Sequence, residues 1–320
     1  MESARIIRWS STAHGVCLNT VRSICTPVCF CNALSCDLGG IQVDTPDSVG
    51  LEYEDLELTT ADGVRLNCFF IEAAVQSAAR QQMFLHYRYR YQADGDSSAF
   101  RPPTTYDAPA VANVIIFHGN AMNAGDCIPQ AQELVMRRCN VLLLSYRGYG
   151  HSGGVPSELG LQRDAQAALD YVTANSRTSA LPTILFGASL GGAVAIDLAS
   201  RNPTAISGLI IENTFLSIPR LIRRVPYVGL ILSSIVMQPW NSAEKLPRVP
   251  ATVPLLFLSG TWDQVVPRQH MEGLWEIRKQ AASELDRFES FPYGHNNTSA
   301  APGYWDKVGG WLQSVIQPKP

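Results

Sequence analysis

Residues 184–192 read Ile-Leu-Phe-Gly-Ala-Ser-Leu-Gly-Gly and decide the fold. They join the apolar segment 183–186 to the alanine-containing segment 191–200, whose spacing is helical. A G-x-S-x-G pattern between a strand and a helix is typical of a sharp turn that exposes a serine nucleophile. The glycines let the strand and the helix approach closely, and the helix N-terminus offers N–H groups to a reacting carbonyl oxygen. We therefore predict that Ser189 is a nucleophile.

This nucleophile needs a base, because a serine hydroxyl at its free pKa reacts poorly. In sites of this kind the base follows the acid along the chain, and of the six histidines only His270 and His295 come late enough. His270 lies in the helical pattern 269–279, where an exposed or capping role is ordinary. His295 follows the predicted strand 287–291 in a loop, where a base stands at the sheet edge. We predict His295 as the base, with a structural loop histidine as the alternative.

The acid is expected between the nucleophile and the base, after a strand. The apolar segment 254–258 runs through a glycine-containing turn to Asp263. A carboxylate there would hold the His295 ring in one tautomer and stabilise the imidazolium that forms. We predict Asp263 as the acid, and the alternative is a carboxylate that only caps a turn. The rival acids Glu272 and Glu276 are predicted to lie solvated on a helix face.

An oxyanion hole requires two backbone donors near the nucleophile. The N–H of Leu190, next to the nucleophile, is predicted to be one. The loop after the short apolar strand 114–117 supplies the other, and there we choose the N–H of Asn120. Gly119 is expected to keep the backbone close to the substrate, and His118 to order the loop.

Apolar strand patterns alternate with helical patterns along the rest of the chain. An alternating pair of segments, 51–58 and 64–71, predicts a β-hairpin. Continuous apolar strands alternating with helices indicate a mostly parallel sheet that is buried on both faces. The predicted strands are 114–117, 141–144, 183–186, 209–211, 254–258 and 287–291, and the predicted helices are 127–137, 159–172, 191–200, 269–279 and 304–316. The fold class is therefore α/β, with helices on both faces of a central sheet.

The 320 residues divide into an amino-terminal tail, 1–45, and one domain, 46–320. The tail is rich in cysteine, serine and threonine, and is predicted to be either disordered or an anchor. Within the domain, residues 77–110 are predicted to be a surface insertion, because a loop of this length is uncommon inside a compact domain. Residues 213–250 interrupt the strand–helix rhythm with two short apolar helical segments, 215–224 and 227–237, which predicts a small cap.

The cap offers apolar side chains that we expect to line a pocket for an acyl chain. Plain core packing is the alternative for the same side chains. The predicted pocket residues are Gly119, Phe215, Leu216, Ile218, Leu230 and Ile231.

Composition excludes several classes of function. The formal net charge is −3 and no long basic run is present, which argues against a nucleic-acid partner. The glycine-rich segment 145–154 lacks G-K-[ST], so a nucleotide site is not expected, and a tight structural turn with Arg147 buttressing the site is predicted there instead. No segment reaches the roughly 18 apolar residues of a membrane span. The tail cysteines lack a recognised zinc spacing, so no metal and no cofactor are predicted.

Several of these motifs together carry a resemblance to a known family. The runs 118–120, 145–150, 187–192, 212–215 and 294–296 resemble those of the α/β-hydrolase superfamily. Within it, the chain looks most like the serine-aminopeptidase-like branch, which includes the fungal bud-emergence hydrolases and related human α/β-hydrolase-domain proteins. The resemblance extends over about residues 45 to 317.

The resemblance implies an α/β-hydrolase fold and places the triad on Ser189, Asp263 and His295, as the residues themselves do. It further implies a serine hydrolase acting on esters or thioesters, with protein depalmitoylation known in related proteins and a membrane-associated or cytoplasmic location. The expected substrates are acylated small molecules, lipids or lipidated proteins, with peripheral membrane contact. Members of the branch usually begin with a membrane-spanning helix, and lipidation of the tail cysteines would replace it. An aminopeptidase and a non-catalytic membrane scaffold are the alternatives.

Overall fold

The computed structural model describes residues 42–76, 109–223 and 237–316. The predictions for the cysteine-containing tail, for nearly all of the 77–110 insertion and for Leu230 and Ile231 fall outside these ranges. The division into a tail and one domain therefore stays a prediction.

Eight strands form one sheet, and their bounds are β1 (Glu54–Thr59), β2 (Arg65–Ile71), β3 (Ala112–Phe117), β4 (Cys139–Leu144), β5 (Thr183–Ala188), β6 (Gly208–Glu212), β7 (Leu255–Gly260) and β8 (Arg287–Phe291). Their order in the sheet is β1-β2-β4-β3-β5-β6-β7-β8. The β1–β2 hairpin is antiparallel and pairs antiparallel with β4, whereas β3 to β8 run parallel to one another. The prediction of a hairpin followed by a mostly parallel sheet is confirmed.

Seven α-helices are present in the described part of the chain, namely α1 (Ile128–Met136), α2 (Glu158–Ala174), α3 (Leu190–Arg201), α4 (Ile218–Ile222), α5 (Ser242–Lys245), α6 (Gln269–Arg278) and α7 (Tyr304–Ile316). Helices α2, α3 and α6 pack on one face of the sheet, and α1 and α7 pack on the other. Every residue of β3, β4, β6 and β7 is buried, which explains why these strands are mainly apolar. The predicted coverage of both faces is confirmed. None of these helices is long and apolar enough to span a membrane.

Buried polar side chains close the amino-terminal edge of the sheet. The amide oxygen of Asn140, near the start of β4, accepts the N–H of Ala73 at 2.9 Å, and its nitrogen donates to Asn113 Oδ1 at 3.1 Å. Asn113 in turn donates to the carbonyl of Thr178 at 2.9 Å. These bonds pair polar groups that burial would otherwise leave unsatisfied, so they stabilise the strand starts.

An ion pair completes the same edge. Arg278 Nε and Asp286 Oδ2 are 2.7 Å apart, and both side chains are 1% exposed. Asp286 also accepts the N–H of Leu255 at the start of β7, and the guanidinium donates to the carbonyl of Val253. A buried pair is tolerated only where further hydrogen bonds satisfy it, and this pair meets that condition.

The described part of the cap consists of α4 and α5, between β6 and β7. The predicted helix 215–224 is shorter in the structure because Ser217 caps its start and Pro219 occupies its first turn. The second predicted helix, 227–237, lies almost wholly outside the described residues. Lys245 contacts Glu158 Oε1 at 3.0 Å and Asp197 Oδ1 at 2.9 Å, so the returning end of the cap is fixed to α2 and α3.

Candidate active site

Ser189 lies in the turn between β5 and α3, in a backbone conformation that few residues other than glycine adopt. Its φ is 53° and its ψ is −118°. A Cβ added to Gly187 would lie 2.2 Å from the carbonyl oxygen of Gly191, and one added to Gly191 would lie 1.9 Å from that of Phe117. Glycine is therefore required at both positions, and the strand and helix approach as closely as the sequence predicts.

The strained turn is held by bonds from the neighbouring strand. The N–H of Ser189 donates to the carbonyl of Glu212 at 2.9 Å, and its carbonyl accepts from Thr214 Oγ1 at 2.7 Å. Both main-chain groups of Ser189 are thus fixed, while the residue stays partly exposed. Backbone strain of this kind persists only where the surroundings over-determine it, and it clusters at functional sites.

Asp263 and His295 are in direct contact. Asp263 Oδ2 lies 2.6 Å from His295 Nδ1, and Oδ1 accepts the N–H groups of Val265 and Val266 at 2.8 Å each. An ionised carboxylate only accepts, so Nδ1 carries the proton and Nε2 is the ring's acceptor. The carboxylate therefore caps its own turn and orients the imidazole at the same time. The side chains are 1% and 11% exposed, respectively.

The other late histidine, His270, lies in α6 as predicted, but its side chain is buried rather than exposed. His270 is 4% exposed, and its Nδ1 accepts the N–H of Leu216 at 3.3 Å. The expectation of an exposed or capping histidine is wrong, because the segment after β6 packs over this face of α6. Glu272 and Glu276 are solvated as predicted, and they pair with Arg268 and Lys279, which flank the two ends of their helix.

The loop after β3 lies beside the nucleophile. A Cβ built on Gly119 would lie 3.7 Å from Ser189 Cβ. His118 donates from Nδ1 to the carbonyl of Gly119 at 2.7 Å and accepts the N–H of Tyr146 at 3.2 Å. Burial lowers the pKa of His118 to about 4, so the ring is neutral and orders the loop as predicted. Asn120 Oδ1 accepts from Tyr149 Oη at 2.6 Å.

Leu190 is the first residue of α3, where backbone N–H groups have no partner within the helix. This end of the helix adjoins Ser189, and Gly119 of the loop after β3 lies next to Ser189 as well. The assignment of the Leu190 and Asn120 N–H groups as oxyanion donors stays a prediction.

Glu212 is a functional candidate that the sequence reasoning missed. It is the last residue of β6, is 5% exposed, and accepts a hydrogen bond from Tyr304 Oη of α7. Burial raises the pKa of Glu212 to about 7; the Tyr304 bond and the nearby His295 oppose this rise, and Asp263 adds to it. The available signal is a lone carboxylate that ends an otherwise apolar strand.

Asn213, the next residue, was also missed. Its φ is 45°, and it is 2% exposed. Its side chain bonds both to the end of β7 and to the loop that carries His295. Asparagine tolerates positive φ better than most residues, which explains its use at this strand end.

The apolar residues assigned to a pocket lie mainly in the core. Phe215 and Ile218 are 4% and 8% exposed and belong to the core beneath α3 and α6. Leu216 packs on α6 at Gly273. These contacts favour core packing over pocket lining for the three side chains. Within the described ranges, no group of three or more His, Cys, Asp or Glu residues is placed to hold a metal ion.

The glycine-rich segment after β4 is a structural turn. Arg147 donates from both terminal nitrogens to Asp62 at 2.8 and 2.9 Å, and from Nε to Asp164 at 2.8 Å. The guanidinium thereby ties the turn to the β1–β2 hairpin and to α2. The tight turn is present as predicted, but the bonds of Arg147 run to Asp62 and Asp164, so its support of the site stays a prediction.

The class of the protein follows from how chain order and sheet order combine. The candidate nucleophile, acid and base leave the carboxyl ends of β5, β7 and β8 in that order, which is the arrangement of an α/β hydrolase. A family model described as "Serine aminopeptidase, S33" matches residues 108–249. The chain is 36% identical over 273 residues to Protein bem46 of Schizosaccharomyces pombe, covering 84% of this chain and 80% of that protein. The chain therefore belongs to the α/β-hydrolase family that includes bem46.

Further comparisons agree with this assignment. The chain is 33% identical over 277 residues to the alpha/beta hydrolase domain-containing protein WAV2 of Arabidopsis thaliana, covering 82% of this chain and 79% of that protein. The Pyrococcus furiosus esterase Pf2001 has the same fold, with a TM-score of 0.64 at 20% identity, covering 88% of this chain and all of the other. An α/β hydrolase from Vibrio vulnificus gives a TM-score of 0.60 at 21% identity, covering 82% and 81% of the two chains. At these identities the structural likeness shows the fold alone.

Proposed function

We propose that the chain is a serine hydrolase that cleaves ester or thioester bonds of acyl substrates through Ser189, His295 and Asp263. The observation that carries the proposal is the 2.6 Å contact between Asp263 Oδ2 and His295 Nδ1. It leaves Nε2 as a base on the same sheet edge as a serine in a strained turn.

The reaction has two halves. Ser189 Oγ attacks the acyl carbonyl carbon while His295 Nε2 takes the hydroxyl proton, and the N–H groups of Leu190 and Asn120 bind the oxyanion. Collapse breaks the bond to the leaving alcohol or thiol, which receives the proton from His295. Water then attacks the acyl-serine ester, again deprotonated by His295. The carboxylic acid leaves, and the proton returns to Ser189.

The proposed substrates are acylated small molecules, lipids and lipidated proteins, which include palmitoyl thioesters. An ester or thioester offers no charged amine, and the described part of the cap offers little to bind one. Its acid, Glu244, lies exposed on the short helix α5. Esterase neighbours among known structures support the ester reading by analogy only.

A second candidate function is aminopeptidase-type amide hydrolysis. The family model that matches residues 108–249 is described by that activity, and the triad would be the same. An aminopeptidase must bind the free substrate amine, for which an acidic side chain at the mouth of the site is the expected partner.

The two functions are separated by a substrate panel on the purified full chain. We expect hydrolysis of p-nitrophenyl esters and of an S-acyl thioester, with little turnover of an aminoacyl p-nitroanilide. Ser189→Ala is the control for background hydrolysis, and this substitution should reduce turnover by about 10⁴-fold or more. Faster cleavage of the anilide would favour the aminopeptidase, and equal rates for the wild type and Ser189→Ala would contradict both.

A further inference from the structure

No helix or strand holds the backbone of His295, which lies in the loop between β8 and α7. Side chains hold it instead. The carbonyl before it, that of Gly294, accepts from Thr298 Oγ1 at 2.8 Å, and its own carbonyl accepts from Asn213 Nδ2 at 3.0 Å. The two peptide carbonyls that bracket the imidazole are therefore fixed from the buried side of the loop.

Asn213 connects three separate segments through one amide. Nδ2 donates to the carbonyl of His295 and to Thr298 Oγ1, at 3.0 and 2.8 Å, and Oδ1 accepts the N–H of Gly260 at 2.7 Å. Its backbone N–H donates to the carbonyl of Leu258 in β7. A main-chain N–H only donates and a carbonyl only accepts, so these partners fix the orientation of the amide.

We propose that Asn213 is a positioning residue for the reaction. Together with Thr298 it forms a base latch, defined as these two side chains, that holds His295 at hydrogen-bonding distance from Asp263. The inference rests on the proposed function and adds a residue to its machinery. Asn213 touches no reacting atom and acts only through the loop that carries the base.

Catalysis tolerates only small displacements of the base. A displacement of about 1 Å at a catalytic group costs about a hundredfold in rate. Other bonds hold the residues before His295: the N–H of Trp262 donates to the carbonyl of Tyr293 at 3.0 Å, and Asn297 Oδ1 accepts the N–H of Gly294 at 2.8 Å. His295 itself is joined to the scaffold by its Asp263 contact and by the latch. Asn213 itself is anchored to β7 through Gly260 and Leu258, and the loop after β7 carries Asp263. The latch therefore fixes the base relative to its acid.

The test compares Asn213→Ala with Asn140→Ala in the full chain. Asn140 is a matched control: both side chains are 2% exposed, and in each the amide oxygen accepts a backbone N–H while the nitrogen donates to an oxygen. Asn140 lies at the opposite edge of the sheet. Both variants should melt at lower temperature, Asn213→Ala somewhat more because alanine at φ 45° is strained.

The catalytic readouts should separate the two variants. For Asn213→Ala we expect kcat on a p-nitrophenyl ester to fall by about a hundredfold with KM changed by no more than about twofold. Asn140→Ala should keep the wild-type kcat. The proton on His295 Nδ1 should give a far-downfield NMR resonance in the wild type and in Asn140→Ala, and this signal should be broadened or lost in Asn213→Ala.

Thr298→Val provides a second route, because valine has the shape of threonine and removes only the hydroxyl. It should lower kcat in the same direction and weaken the same resonance. Equal kcat and an intact resonance in Asn213→Ala and Asn140→Ala would overturn the inference. Failure of the proposed function is distinguishable, since a wild type without esterase activity still reports the latch through the Nδ1–H signal.

Discussion

The two edges of the sheet use buried polar residues in opposite ways. At the amino edge, Asn140 and the Arg278–Asp286 pair are bonded to neighbouring main-chain groups in ordinary conformations. At the carboxyl edge, Ser189 and Asn213 follow their strands at φ values of 53° and 45°, and burial raises the pKa of Glu212 to about 7. Satisfied groups stabilise a fold, whereas strained and pKa-shifted groups mark a site.

This difference indicates that the free energy of unfolding and the catalytic rate depend on different edges of the sheet. In α/β sheets, ligands bind outside the carboxyl ends of the strands, because the loops there converge. Variants at the amino edge should therefore change the free energy of unfolding and spare the rate. Variants at the carboxyl edge should do the reverse, except where a side chain serves both.

The largest expected effect is that of Asp263→Asn on the rate. An amide can still accept the N–H groups of Val265 and Val266, but its NH₂ group cannot accept from His295 Nδ1, so the ring adopts the wrong tautomer. We expect kcat to fall by about 10⁴-fold. The free energy of unfolding should change by about 1 kcal/mol or less. Ester hydrolysis and urea unfolding measure the two quantities, and a loss of stability without a loss of rate would assign Asp263 to the turn alone.

At the amino edge, Arg278→Met should produce the opposite result. It leaves the Asp286 carboxylate buried without its cation, which costs about 3–5 kcal/mol in the free energy of unfolding. Below the unfolding transition, kcat/KM per folded molecule should stay within about twofold of the wild type, because distant sites act independently. A fall of tenfold or more in a folded protein would show that the two edges are coupled.

A smaller effect is expected for Glu212→Gln, which tests the carboxyl edge through pH. The folded-state pKa, about 7, lies above the ordinary carboxyl value. The folded protein therefore binds this proton more tightly, and the free energy of unfolding falls as pH rises from about 4.5 to 7. The loss is on the order of 3 kcal/mol at most. Glutamine keeps an acceptor for Tyr304 and should remove this part of the pH dependence.

Thermal unfolding of the wild type and Glu212→Gln at pH 5 and pH 8 measures that change. The wild type should lose more stability than the variant between the two pH values. If the wild type and Glu212→Gln lost the same stability between pH 5 and pH 8, Glu212 would titrate at an ordinary pKa. The two edges would then differ less than the geometry indicates.

Periodicity and motif order predict most of the fold and the position of the candidate triad. Strands that are buried on both faces of a sheet consist mainly of apolar residues, so β3 to β7 can be recognised in the sequence. The G-x-S-x-G turn can be recognised by its motif, and Asp263 and His295 by their chain order and by the strands that precede them. The contact between Asp263 and His295 then follows from the neighbouring positions of β7 and β8.

The residues that support the site cannot be recognised from the sequence in this way. Asn213 and His295 are 82 positions apart, and their bond depends on the path of a loop rather than on any periodic pattern. The raised pKa of Glu212 depends on burial by the tertiary fold, and Tyr304, whose hydrogen bond opposes the rise, is another distant residue. His270 was misjudged because a helical pattern does not show which segment covers a given face. Local patterns predict elements, whereas these contacts arise from tertiary packing.

Ser189 is proposed to be the nucleophile, activated by His295 and Asp263 at the carboxyl edge of the sheet. A fluorophosphonate probe, followed by mass mapping of the labelled peptide, tests this proposal most directly. We expect one adduct on Ser189, absent in Ser189→Ala, formed much more slowly in Asp263→Asn and formed at the wild-type rate in Arg278→Met. An adduct at another residue, or labelling that is undiminished in Ser189→Ala, would contradict it.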